Sequence, residues 1–310
     1  MRPLRLFPDD TRFDFMGRRL VALAFTLLLT LASLSALGLN GLNLGLDFEG
    51  GVLIEARSAA AVDVARLRTE LDALGIGEVA IQSVDGERGV LIRVHQPDDA
   101  PSAATVVSNA VRGALGSGYE IRRTEFVGPQ VSHELLRDGF VASGLAVALI
   151  AVYVWFRFEW QFGLSALITT LHDVIATLGL FSLLGLEFNL TVVAAVLTIA
   201  GYSINDTVVV FDRIREMLRR QKRMPMPELI NLSINQTLSR TVITSGTTLL
   251  AVLALLLFGG PVLRNFAVAL AWGIGIGTYS SIFVASVLLI YMPPLRAAAP
   301  EAAPPPISGP

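Results

Sequence analysis

Cysteine is absent from the chain, which removes disulfides and thiolate metal sites from consideration. Histidine is nearly absent too: His95, His133 and His172 are too few and too scattered to frame a metal site. Charge is scarce, at 16% of residues, where ordinary globular domains sit near a quarter. The net charge of −2 supplies no basic surface for a nucleic-acid partner. No P-loop, His-Glu-x-x-His or Gly-x-Ser-x-Gly run occurs. Nucleotide hydrolysis, zinc proteolysis and serine catalysis therefore have no visible apparatus, the chain reads as a non-enzyme, and no cofactor or metal is called for.

What fills the chain instead is apolar sequence, 53% of its 310 residues. A spanning helix needs roughly 20 predominantly apolar residues. Six stretches qualify and are predicted as membrane helices over 20–46, 138–157, 162–186, 188–212, 240–260 and 265–293. The first follows Arg18-Arg19 and stays uncharged to Leu46. That exceeds the roughly 7–15 apolar residues of a cleavable signal peptide, so it reads as an anchor. Basic residues collect in 1–19 (Arg2, Arg5, Arg12, Arg18, Arg19) and again after the fourth stretch (Arg213, Arg215, Arg219, Arg220, Lys222, Arg223). An even number of crossings puts both clusters on one side, which the positive-inside rule makes cytoplasmic. Arg157 and Arg296 fall on the same side, and both termini are expected there. The Ala/Pro-rich tail 294–310 reads as disordered.

The large non-membrane segment, 47–137, then lies outside the cytoplasm. Gly51–Arg57 alternates like a strand, and Val64, Leu67, Leu71 and Leu74 recur at helical spacing. Val79–Val84 and Gly89–Val94 read as strands joined through Asp85-Gly86. Pro101–Leu115 reads as a helix and Tyr119–Val127 as a last strand. The order βαββαβ predicts a ferredoxin-like α+β domain. In the basic segment 213–239, Leu229, Leu232 and Ile234 face apolar against a polar side, predicting an amphipathic helix lying on the cytoplasmic membrane surface.

Charges inside membrane stretches cost about 2.5–3.5 kcal/mol at mid-depth and usually mark function. Asp173 lies about ten residues into the third stretch, near mid-depth at about 1.5 Å per residue. Asp206 sits in the polar run Gly201-Tyr202-Ser203-Ile204-Asn205-Asp206-Thr207. Arg240 enters the fifth stretch at a similar depth, and Asn205 could supply a donor beside the acid. Proton coupling through Asp206, Arg240 and Asn205, with Asp173 as a weaker second acid, is one reading. A static ion pair with hydroxyl glue between helices is the other. Asp212, beside Arg213, reads as an interfacial residue paired locally. His172 precedes Asp173, but adjacent helical positions diverge by about 100°, which argues against a relay between them. Gly273, Gly275 and Gly277 with Thr278, Ser280 and Ser281 read as a packing face without chemistry.

Several runs, in order, resemble one family. Leu46-Asp47-Phe48-Glu49-Gly50-Gly51 resembles the Asp-Phe-x-Gly-Gly signature of the SecD/SecF proteins. Val127-Gly128-Pro129, the run from Gly201 through Asp206 to Glu216, Asn235–Thr241 and Gly277–Ser281 resemble its SecF branch. The resemblance marks Asp47, Phe48, Gly50, Gly51, Gly201 and Gly277 as structural motif positions. It implies one repeat of the RND superfamily in the bacterial inner membrane, partnered by SecD, the SecYEG channel and YajC. That assembly uses the proton-motive force to draw secreted polypeptide across the membrane. By position, Asp206 and Arg240 match the family's intramembrane proton-linked Asp and Arg. The large SecD-type external domain is missing from this chain. Rival readings are an RND-type small-molecule or lipid exporter half, an intramembrane aspartyl protease, whose Gly-x-Gly-Asp pattern Ser203–Asp206 does not match, and a purely structural membrane subunit.

Overall fold

A computed structural model describes residues 12–84, 88–95 and 101–293. The predicted Asp85-Gly86 turn and the 294–310 tail lie outside the described residues. Among the described residues six helical segments are long and apolar enough to cross a membrane, so the chain is a polytopic helical membrane protein.

Helix α1 (Arg19–Asn40) stops six residues short of the predicted end at Leu46. Gly41 ends it, and the chain then forms a two-residue strand β1 (Asn43–Leu44) and a single turn α2 (Leu46–Glu49). Apolar character alone had extended the span, because Leu39, Leu42, Leu44 and Leu46 are as hydrophobic as the helix itself.

The following domain comprises β2 (Gly51–Ser58), α3 (Val64–Asp72), β3 (Glu78–Val84), β4 (Gly89–His95), α4 (Pro101–Leu115) and β5 (Tyr119–Val127). Its strands order β3-β4-β2-β5 and all pairs are antiparallel. Asp63 starts α3 by accepting a hydrogen bond from the Arg66 amide at 3.0 Å. Alternation aims Val52, Ile54 and Ala56 of β2 and Val90, Ile92 and Val94 of β4 at the same face. There they meet Leu67 and Leu71 of α3 and Val107, Val111 and Leu115 of α4, giving the domain its own core.

The helix that contains the second predicted span starts before that span does. Helix α5 (Pro129–Arg157) starts nine residues before 138, with Pro129 in its first turn, where a missing N–H costs nothing. Helix α6 (Trp160–Leu184) leads through β6 (Glu187–Phe188), which pairs in parallel with β1, into α7 (Leu190–Arg220). At 31 residues α7 is about 46 Å long, so its last turns leave the roughly 30 Å hydrocarbon layer. The segment predicted as a separate surface helix is instead the first part of α8 (Met226–Phe258), continuous with the fifth span. Leu229, Ile230, Ile234 and Leu238 explain why: they are buried against Met16, Phe211, Ile214 and Met217 rather than against lipid. Residues 13–16 lie along this part of α8. Asn231 Oδ1 accepts from the Phe15 amide at 2.8 Å, and Asn235 Oδ1 from the Phe13 amide at 2.9 Å. The last span begins at α9 (Gly260–Ser280), passes through a π-helical segment at Ser281–Ala285 and ends in α10 (Ser286–Tyr291).

Helices α6, α7 and α9 form the centre of the bundle, while α5 buries only Ser132 and Val154. The exposed leucines and phenylalanines of α1 and α5 form a surface suited to lipid. Helix α1 reaches α6 only because Gly179 has no side chain, since a Cβ there would lie 2.2 Å from the Cβ of Ser33.

Candidate functional site

Two carboxylates are buried side by side in the bundle centre. Asp173, halfway along α6, is fully buried, and Asp206 on α7 is 4% exposed. Each is held by hydroxyls from neighbouring helices. Ser203 of α7 and Ser280 of α9 both donate to Asp173 Oδ2, the latter at 2.7 Å. Thr241 of α8 donates to Asp206 Oδ1 at 3.0 Å, and Ser281 donates to its Oδ2 at 2.7 Å. Ser203 and Asp206 share α7, and Ser280 and Ser281 are consecutive, so the two acids are connected through the same pair of helices.

The π-helical segment lies where this connection is made. Widening the turn at Ser281–Ala285 frees carbonyls from the regular ladder. Side chains take them up: Ser286 Oγ donates to the Ser281 carbonyl at 3.0 Å, and Ser165 Oγ to the Ala285 carbonyl at 2.7 Å. Gly277, one turn earlier, packs against the same place. A Cβ there would touch the Ser203 Cβ at 3.4 Å and Asp173 Oδ2 at 3.8 Å.

The two acids differ in their nitrogen partners. His172 Nδ1 lies 2.9 Å from Asp173 Oδ1, and both residues are buried. The angular argument against this contact therefore fails: both side chains are short enough at the branch point to bend toward each other from adjacent positions. His172 Nε2 is buried with no hydrogen-bond partner among the described residues. Asp206, by contrast, has neutral hydroxyl partners, and among the described residues no Lys, Arg or His lies within ion-pair distance of it.

The other predicted site residues are arranged differently. Arg240 is exposed on the outer side of α8, one residue from the ligand Thr241, and does not pair with Asp206. Asn205 and Gly201, one turn apart on α7, are exposed too, so Asn205 faces away from the acid beside it. Asp212 pairs across helices rather than locally, with Arg157 at the end of α5 at 2.8 Å. Ser280, Ser281 and Thr241 had not been singled out as ligands. The available signal was hydroxyl residues at the depth of an intramembrane acid, which requires donors.

The Asp47–Gly51 run sits at the far end of α7. Asp47 Oδ2 accepts from the Leu190 amide at 2.9 Å, capping that helix, and Phe48 stacks on Phe188 at 5.9 Å. Gly50 and Gly51 take φ of +72° and +108°, a region that L side chains avoid. A Cβ on Gly51 would also lie 2.3 Å from the Val94 carbonyl. Behind them Arg93 donates to the Leu44 carbonyl at 2.8 Å and contacts Glu187 Oε2 at 3.2 Å and Glu49 Oε2 at 3.3 Å. Burial pushes the Glu187 carboxyl above its ordinary pKa, with Arg93 pulling the other way.

Fold and site together define a multi-pass helical membrane protein with paired intramembrane acids and a small α+β domain inserted after its first span. The family described as "Protein export membrane protein SecD/SecF, C-terminal" matches residues 107–294, and the "SecD/SecF GG Motif" matches residues 35–62. Protein translocase subunit SecF of Rickettsia bellii is 46% identical over 93% of this chain and 95% of its own length. The SecF of Rickettsia akari is likewise 46% identical, over 93% and 94%. The crystal structure of SecDF from Thermus thermophilus, a translocon-associated membrane protein, matches with a TM-score of 0.85 at 42% identity, over 94% of this chain and 40% of that one. A SecDF structure in a super-membrane-facing form matches at 0.69 with 41% identity and the same coverage. The chain belongs to the SecF branch of the SecD/SecF family of Sec protein-export subunits.

Proposed function

We propose that this chain is the SecF half of a proton-driven export motor in the bacterial inner membrane, working with SecD beside SecYEG and YajC on secreted polypeptide. Asp206 carries the reading. A carboxylate almost sealed from solvent and served by neutral hydroxyls must take up a proton or meet a cation to remain there. Asp173 has an imidazole at hand and plays the lesser, positioning part.

Arg240 supplies the alternation. It follows Ser239 and precedes Thr241 on α8, so a turn of that helix by about 100° exchanges a neutral donor for a guanidinium at Asp206. Protonated Asp206 keeps Thr241, and ionised Asp206 draws Arg240. The outward face bearing Arg240, Asn205, Gly201 and Thr244 is too polar to rest against lipid tails and is the surface for SecD. A SecDF chain more than twice this length supports that pairing, since 40% of it corresponds to 94% of this chain.

The Arg213–Arg223 cluster and the N-terminal arginines support a cytoplasmic side for those segments and both termini, with the β2–β5 domain on the other side. The strand order β3-β4-β2-β5 with two helices on one face supports a ferredoxin-like assignment for that domain. One charge crossing yields about 2.3 kcal/mol per 100 mV, enough to bias a sliding chain stepwise.

The test is Asp206→Asn in SecD-containing membrane vesicles. Gradient-driven secretion should fall to the rate seen without a gradient, while assembly with SecD is retained. Secretion at the wild-type rate would sink the proposal. Arg240→Lys, keeping charge without the planar fork, should retain part of the activity.

A further inference from the structure

The Asp47–Gly51 run takes no part in holding the paired acids, yet each of its side chains and turns is committed to one junction. Helix α7 carries Asp206 about 24 Å from its first residue Leu190, and an unbroken helix moves as a rod. Asp47 caps the amide of Leu190, and β1 pairs with β6 immediately before it. From there the chain passes through Gly50-Gly51 straight into β2, an inner strand of the four-stranded sheet. Arg93, on the adjacent inner strand β4, holds Leu44 and Glu187 from the sheet side and is 12% exposed.

The junction has no slack. A Cβ on Gly45 would come within 2.8 Å of Glu187 Oε1 and 2.9 Å of the Asn189 Cβ, and one on Gly50 within 3.1 Å of Ser132 Oγ on α5. Asn265 Nδ2 also donates to the Glu187 carbonyl at 3.0 Å, adding α9 to the same point. Stacked Phe48 and Phe188 fill the interior. A flexible tether would be expected to expose its backbone and carry unpaired polar residues, and this segment does neither.

We propose that Leu44–Gly51, with Arg93 and Glu187, is a rigid joint that hands the displacement of α7 to the β2–β5 domain on the far side of the membrane. The inference rests on Asp206 as the proton carrier, because the exchange of Thr241 for Arg240 at that acid as α8 turns displaces α7, the helix that bears it. Asp47 is thus a positioning residue: it acts through the end of α7 and never touches the proton.

The experiment uses the SecD-containing complex in vesicles with a secretory precursor, measuring proton flux and gradient-driven translocation separately. Asp47→Ala removes the acceptor of the Leu190 amide while Asn189 still caps α7 at Val192. It should lower translocation roughly fivefold, the factor expected for one lost hydrogen bond, while proton flux stays within about twofold of wild type. Asp47→Asn, whose amide oxygen still caps, should restore most of the rate. Leu44→Cys with Phe188→Cys, cross-linked in this cysteine-free chain, should translocate as well oxidised as reduced. Three results would overturn the joint: unchanged translocation in Asp47→Ala, parallel loss of flux and translocation at normal membrane levels, or arrest on oxidation that reduction reverses. If Asp47→Ala does not accumulate, the Asn variant and the cross-link decide. Wild-type flux in Asp206→Asn would refute the proton-carrier reading alone.

Discussion

Removing the guanidinium of Arg93 should destabilise the chain far more than neutralising its partner Glu187. The two side chains are 12% and 16% exposed, and Arg93 also serves the Leu44 carbonyl. Deleting one member of a buried pair leaves an uncompensated charge and typically costs 3–5 kcal/mol. Residual exposure and the option of protonating Glu187 put Arg93→Ala at the lower end, about 3 kcal/mol. Glu187→Gln removes the charge whose burial is the dominant influence on that site, so it should cost almost nothing. The pH dependence has a definite sign. Because the folded-state pKa of Glu187 is raised, the folded chain holds that proton more tightly than the unfolded one. The corresponding stability is complete below the ordinary carboxylate value and is lost as pH rises through the folded one. Glu187→Gln should therefore match or exceed wild type at pH 8 and lose that advantage near pH 4. The penalty of Arg93→Ala should shrink over the same range. Unfolding midpoints of the purified chain in detergent, taken at both pH values, measure this. Equal losses for both variants at pH 8 would show that attraction to Arg93 outweighs burial and would refute the reasoning.

Gly179→Ala should cost about 1–3 kcal/mol, because its Cβ would meet the Cα of Ser33 at 2.6 Å and push α1 off α6. Thermal unfolding and cysteine cross-linking between the two helices would register the separation. Gly277→Ala should be nearly neutral in stability and secretion, since its closest contact, 3.4 Å, is ordinary packing, whereas Gly277→Val should displace Ser203 from Asp173. Asn231→Ala removes the acceptor for the Phe15 and Met16 amides. Hydrogen exchange at residues 13–16 should then rise roughly tenfold while the membrane spans keep their protection.

Much of the helical part was legible because apolar length is a strong signal and a lone acid within it is a rare one. Asp206 and Asp173 were found that way. Their surroundings were harder to read. Ser280 and Ser281 looked like packing residues, since nothing local says that a π-helical turn will present two consecutive hydroxyls to two different acids. The equal depth of Arg240 and Asp206 suggested a contact, but depth says nothing about which way a helix faces, and Arg240 faces out. The surface helix assigned to 226–239 failed because its apolar residues have two possible burial partners, lipid and the end of α7, and periodicity does not distinguish them. Strands β2 to β5 came through alternation, while the contacts of Arg93 with Leu44 and Glu187 depend on chain ends brought together only by the finished fold.

The first and last strands of the inserted domain are neighbours. Gly51 pairs with Val127, so the chain leaves the membrane part and re-enters it one ladder rung apart. Whatever is spliced between those two residues can leave the spans unchanged, provided it begins and ends as an adjacent strand pair and keeps a cation where Arg93 meets Leu44 and Glu187. The membrane unit can accordingly keep one set of helices while the rest of the inserted module grows, shrinks or is exchanged, a freedom built into a single hydrogen-bonded rung.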